Sequence, residues 1–203
     1  MCAHDRHAGE RSGAKHQPCR PPPSARPAKG RISRRLTHTD GGASQWTIDH
    51  SPRNNGSTPV RCGLWDVLML LRPARVRVPL PARTAGPTLA ALPSQKPLDG
   101  LRADGTLQDS PAEAVLHCTQ GGDFKCGFAS ADELMEVDFG PGAPRYTRRS
   151  AVDMSQPYAH GLPLEMFNAP VLDYFEVETH SPLQTLEAGE VLRFAVVEAL
   201  ELR

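Results

Sequence analysis

Beyond Arg31 the apolar residues of this chain fall in short alternating or fully apolar runs, each broken by Gly, Pro, Asn or Asp, and no stretch carries a long amphipathic helical period. A period of two places successive side chains on opposite faces of an extended backbone, so it can bury one face of a sheet but not one stripe of a helix. Strands at this spacing restrict the fold to an all-β architecture, a sandwich or a barrel. "RISRRLTHTD" and "SQWTIDH" alternate on either side of "DGG", the signature of a hairpin. "PRNNGSTPV" reads as a turn-rich connection, "VRCGLWDVLMLL" and "ARVRVPL" as two further strands, and the stretch from Pro81 to Gly105 as a long loop. The strand rhythm then resumes through "EAVLHCTQ", "FKCGFAS", "ELMEVDFG", "PRYTRRSAV", "LPLEMFNAP" and "DYFEVETHSPLQTL" to the end. "ADELMEV" and the closing "VVEALELR" also suit a helix by residue propensity.

A chain of 203 residues suffices for one sizeable core. Residues 1 to 28 are rich in Pro, Gly, Arg and Ser without apolar periodicity, which predicts a disordered basic tail ahead of one domain over 29 to 203. The whole chain carries 23 basic and 23 acidic residues, so its balance makes no case for a nucleic-acid partner. The tail also lacks the interleaved aromatics that stack on bases. The longest apolar run, "CGLWDVLMLL", is too short for a membrane span and contains Asp66. No apolar segment follows the basic N-terminus as in a secretory signal. Five cysteines without a CxxC pair fit reduced thiols, and together these features point to the cytoplasm.

Phosphate-loop, dinucleotide, HExxH and GxSxG motifs are absent, and no ligand spacing calls for a metal or cofactor. The polar residues worth attention sit at strand ends. On "YFEVETH", alternation puts Tyr174, Glu176, Glu178 and His180 on one face and Phe175, Val177 and Thr179 on the other. A sheet face that combines carboxylates, imidazoles and aromatic rings suits a sugar, whose hydroxyls need acceptors and whose ring needs an apolar platform. A partly buried Glu178 can serve as general base if an acid such as His stands across the substrate.

These segments resemble the galactose mutarotase-like superfamily, in a branch related to aldose 1-epimerase. The resemblance rests on Asn54, Gly56, Thr58, Pro59 and Val60, on "EVETH", and on "SPLQTLEAGE", where Ala188 replaces the usual Pro of a closing hairpin. It spans roughly residues 29 to 195 and implies an antiparallel supersandwich, with Glu178 at the position of the general base. Asn54, Trp65, Asp66 and His180 are the implied substrate-binding residues. The departures bear on activity: counting from Thr58, Trp65 falls where the family has a sugar-binding histidine, and indole cannot exchange the proton that imidazole can. His117 and His160 are the nearest candidates, by order along the chain, for the second histidine, the general acid. The family's fold also opens with strands ahead of "RISRRLTH", so the resemblance implies an N-terminally truncated member with an incomplete first sheet.

Two functions follow as expectations. One is a carbohydrate-binding or aldose-epimerase-like domain that takes a sugar or small polyol, with Trp65 or Trp46 stacking on the ring. The other is a non-catalytic β-sandwich serving as an interaction module, in which Trp65 is a core anchor and Asn54 a turn former. Convergence of Glu178, Asp66 and a histidine on one concave face would separate them.

Overall fold

The computed structural model describes residues 30–39, 44–81, 88–92, 95–130 and 133–202. The predicted basic tail and the DGG turn lie outside these residues. Among the described residues, fifteen strands and one short helix follow in chain order. They are β1 (Gly30–Thr39), β2 (Ser44–Asn54), β3 (Val60–Cys62), β4 (Trp65–Leu71), β5 (Ala74–Pro79), β6 (Leu89–Ala91) and helix α1 (Leu98–Ala103). Then come β7 (Leu107–Asp109), β8 (Glu113–Cys118), β9 (Phe124–Phe128), β10 (Leu134–Asp138) and β11 (Arg145–Ser150). The series closes with β12 (Leu164–Asn168), β13 (Tyr174–His180), β14 (Gln184–Leu186) and β15 (Phe194–Glu201). The all-β expectation holds. No helix among the described residues is long and apolar enough to cross a membrane.

All strand pairings are antiparallel. An eight-stranded sheet runs β1-β2-β15-β11-β10-β5-β8-β7, a five-stranded sheet runs β4-β13-β12-β9-β6, and β14 pairs with β3. The two large sheets enclose one core. Val76, Val78, Leu116 and Val137 from the first meet Phe124, Cys126, Phe128, Met166, Phe175 and Val177 from the second. Most of these alternate along their strands with a less buried neighbour, as period two requires, and each buried Val, Leu, Met or Phe contributes about 1.5–3 kcal/mol of transfer free energy.

Three local expectations are revised, and the strand reading of the two segments with helix-forming residues holds. "VRCGLWDVLMLL" is two strands, because the chain breaks at Gly63, where an added Cβ would lie 3.2 Å from both the Ser181 carbonyl oxygen and Leu183. The Pro81–Gly105 stretch holds β6, paired with β9, and α1, whose Leu101 is fully buried in the core. Strand β2 continues through Pro52 and Arg53 into the predicted turn. Both segments with helix-forming residues are strands: β10 lies between β5 and β11, and β15 between β2 and β11, so cross-strand partners on both sides outweigh a propensity difference of a few tenths of a kcal/mol per residue.

The five-stranded sheet ends at β4, and β1 meets that edge through the Arg34–Asp66 pair at 3.4 Å. Every residue of β1 is exposed, and Ile32 and Leu36, which share the face of His50 and Ile48, stand open.

Candidate functional site

The outer face of the five-stranded sheet gathers a cluster of charged and aromatic side chains. Antiparallel register sets Glu178 of β13 opposite Glu165 of β12 on one side and Val67 of β4 on the other, and sets His180 opposite Trp65. Glu165 in turn faces Gly127 of β9, and Lys125, two residues earlier, emerges on the same side. Paired residues share a face, so four strands deliver Trp65, Glu178, His180, Glu165 and Lys125 to one patch.

The patch is closed over although it lies on the outside of a sheet. The segment between β11 and β12 folds across it, held by the His180 N–H to the Pro163 carbonyl at 2.7 Å and the Leu183 N–H to the Pro157 carbonyl at 2.8 Å. Leu162 packs on Gly127, where a Cβ would come within 3.1 Å of it, so the glycine permits this close approach. The same segment carries His160 into the cluster. Its Nδ1 lies 2.8 Å from Glu165 Oε1, and its ring centroid is 5.2 Å from that of His180 and 6.2 Å from that of Trp65.

Lys125 is the cation of the cluster, with Nζ 3.0 Å from Glu178 Oε2 and 3.1 Å from Glu165 Oε2. Both carboxylates are fully buried. The Trp65 indole N–H donates to Glu178 Oε2 at 2.7 Å, its ring stacks on His180 at 6.0 Å, and Lys125 Nζ sits 5.0 Å from its centroid. Trp65 is 53% exposed, so it is a surface lid over Glu178 and not a core anchor.

The two carboxyls titrate apart. Burial pushes Glu178 above its ordinary value, and the hydrogen bonds from Lys125 and Trp65 only partly offset this. Burial pushes Glu165 up as well, but His180 and Lys125 outweigh it and hold that group well below the usual carboxylate range. Paired acids separated in this way are suited to different roles, one exchanging a proton and one staying ionised.

Comparison with solved structures agrees with this topology. A candidate aldose 1-epimerase from Escherichia coli K12 superposes with a TM-score of 0.54 at 15% identity, over 87% of this chain and 62% of that one. A galactose mutarotase-like protein from Lactobacillus casei gives 0.52 at 17% identity, over 86% and 64%. A further candidate aldose 1-epimerase, from Klebsiella pneumoniae, gives 0.51 at 12%, over 85% and 51%. The fold is galactose mutarotase-like. The chain spans about half to two thirds of the length of these mutarotase-like structures. No protein-family model matches the chain, and no curated protein matches it.

Within this mutarotase-like fold, the residues singled out from sequence part company. Glu178, Trp65 and His180 come together, and His160 joins them. Asp66 does not: alternation on β4 turns it to the opposite face from Trp65, into the space between the sheets, where it is 5% exposed and pairs with Arg148 at 2.9 Å and with His50. Asn54 is also elsewhere. Its Nδ2 donates to the carbonyls of Thr58 at 2.8 Å and Leu186 at 2.9 Å, and its Oδ1 accepts from the Gly56 N–H, which ties β2 to the β3–β14 pair. Asn54→Ala is therefore expected to cost about 1–3 kcal/mol of stability by orphaning buried carbonyls, with no change in any ligand response at Glu178; urea unfolding of the variant measures the first. His117 lies on β8 of the other sheet.

Glu165 and Lys125 were missed by sequence reasoning. The signal was a lone charge inside an otherwise apolar strand, "LEMF" and "FKCGF", which tolerates burial only when paired.

Proposed function

We propose that the chain recognises a sugar or small polyol on the outer face of the five-stranded sheet, with Glu178 as the acceptor for a hydroxyl and, if the bound sugar is turned over, as its general base. The observation that carries this reading is the convergence of the buried Glu178 carboxylate with Trp65, His160 and His180 around a single lysine. Anomer exchange needs one group to take the proton from the anomeric hydroxyl while another gives one to the ring oxygen, which opens the ring and lets it reclose on either face. Glu178 has the proton affinity for the first task, because burial raises it. His160 and His180 are the imidazoles within reach of the second. Trp65 covers Glu178, so a sugar would displace the indole from Oε2 and use its exposed ring as a platform.

The non-catalytic module is the second reading, favoured by the complete burial of Glu178, its neutralisation by Lys125 and the placement of Asp66 on the opposite face of the sheet, so that Glu178, Asp66 and a histidine do not all converge. Saturation-transfer NMR of the full chain against a panel of aldoses distinguishes the two. Binding by the wild type and its loss in Glu178→Gln supports the sugar site, whereas a folded wild type that binds none of them leaves Glu178 a structural carboxylate. Where turnover is measured by polarimetry, the rate is expected to fall as pH drops through the Glu178 pKa, since only the ionised form is a base, and that midpoint is expected above the ordinary 4.5.

A further inference from the structure

We propose that His160, Glu165 and His180 form a binding site for one divalent transition-metal ion of the zinc class. One ligand atom from each residue lies within 4.8 Å of the other two. Two imidazoles and a carboxylate suit Zn²⁺, Co²⁺ or Ni²⁺, whereas Mg²⁺ and Ca²⁺ take oxygen ligands.

The geometry supports a common ion. Metal–ligand bonds of about 2.0–2.2 Å place tetrahedral ligands roughly 3.4 Å apart. The His180 Nε2 to Glu165 Oε2 separation is 3.4 Å, and His160 Nδ1 reaches the other oxygen of the same carboxylate. His180 provides an independent pointer. It is 2% exposed, yet its Nε2 has no hydrogen-bond partner and faces the Glu165 carboxylate. A buried ring nitrogen held only by an ion-pair contact of 3.4 Å, with no hydrogen bond, is poorly satisfied, and a metal bond would satisfy it.

The supports are rigid. Glu165 and His180 stand on the adjacent strands β12 and β13, and Lys125 at 3.1 Å orients Glu165 as an outer partner orients a ligand. The positive charge of Lys125 is countered by Glu178 at 3.0 Å, so two carboxylates and one lysine leave the cluster negative toward a cation. The His160 side chain is 41% exposed, which opens one side of the cluster to solvent. Three protein ligands and an open fourth position are the arrangement of metal sites that bind a further small ligand. This inference goes beyond the sugar reading while drawing on the same His160 and His180, and its readout is metal and not sugar, so either can fail without the other.

The test is titration of the chelator-treated full chain with CoCl₂, followed by visible absorption, and with ZnCl₂ in competition against a chromophoric chelator. One equivalent of Co²⁺ with ligand-field bands and no thiolate charge-transfer band is expected. His160→Ala, at a half-exposed position that leaves the core intact, and Glu165→Gln, which keeps the side-chain shape, are each expected to weaken Zn²⁺ binding more than about 100-fold, beyond what loss of an outer partner costs. Absence of Co²⁺ binding by the wild type overturns the proposal. Retention of wild-type affinity by either variant also overturns it, placing the ion on other groups such as His4, His7 and His16 or the cysteines.

Discussion

Arg148→Ala is expected to lose about 3–5 kcal/mol of stability, the cost of removing one partner from a buried ion-pair network. The side chain of Arg148 has no exposure at all, and it bridges Glu198 of β15 at 2.5 Å, Asp66 of β4 at 2.9 Å and the Thr179 hydroxyl of β13 at 3.0 Å. Glu198 also accepts from the Trp46 indole N–H at 2.6 Å, and Asp66 also pairs with His50 and Arg34. One guanidinium thus pins the eight-stranded sheet to the edge of the five-stranded sheet. Its loss leaves the buried Glu198 carboxylate without its cation and leaves Asp66 only the exposed Arg34 at 3.4 Å and His50. For a domain of this size each kcal/mol corresponds to about 2–4 °C in Tm, so a thermal melt reads the effect directly. Arg148→Lys should fall between the two, because an ammonium lacks the planar fork that spans both acids. A melt of Arg148→Ala within a degree of the wild type would show that the network adds nothing.

Lys125→Met is expected to cost a similar amount, about 3–5 kcal/mol at pH 7, for the same physical reason on the opposite face of the five-stranded sheet. Here the pH dependence is distinctive. Burial works against the charge of Lys125, but Glu178 and Glu165 more than offset it and raise its pKa above the ordinary 10.5. Its contribution is therefore fully present below that value and is lost as pH rises through the folded pKa. Glu165, held below the ordinary 4.5, contributes stability above that value and loses it as pH falls through its folded pKa. Glu178 runs the other way: its raised pKa makes the folded state the better proton binder, so it opposes folding near neutrality and this cost lifts in acid. Without Lys125 both carboxyls rise, and the deficit relative to wild type should narrow between pH 7 and pH 5. Urea unfolding at the two pH values measures this, and a deficit that stays constant would mean the carboxylates are not titrating.

The period-two pattern was sufficient for the fold class and for the antiparallel pairing of β1 with β2, because alternation acts locally. It was also sufficient to place Glu178 and His180 on one face of β13. It could not say which residues stand beside them. Glu165 lies opposite Glu178 because β12 pairs with β13 in one register, and a shift by one residue would have turned Glu165 into the core. Lys125 arrives through β9, one strand further, and His160 through the segment folded over the sheet.

Trp65 shows the same limit from another side. Its residue type predicts burial, but β4 is the edge of its sheet and the ring is left as a lid. Asp66, one residue on, falls between the sheets because successive side chains alternate, and Arg148, 82 residues away in sequence, together with Arg34 and His50 makes that position tolerable. The sequence by itself determined what local backbone chemistry can determine: an all-β chain and which side chains share a strand face. The tertiary structure alone decided the site, since strand register, edge position and cross-sheet charge pairing depend on contacts between distant segments and leave no periodic trace in the chain.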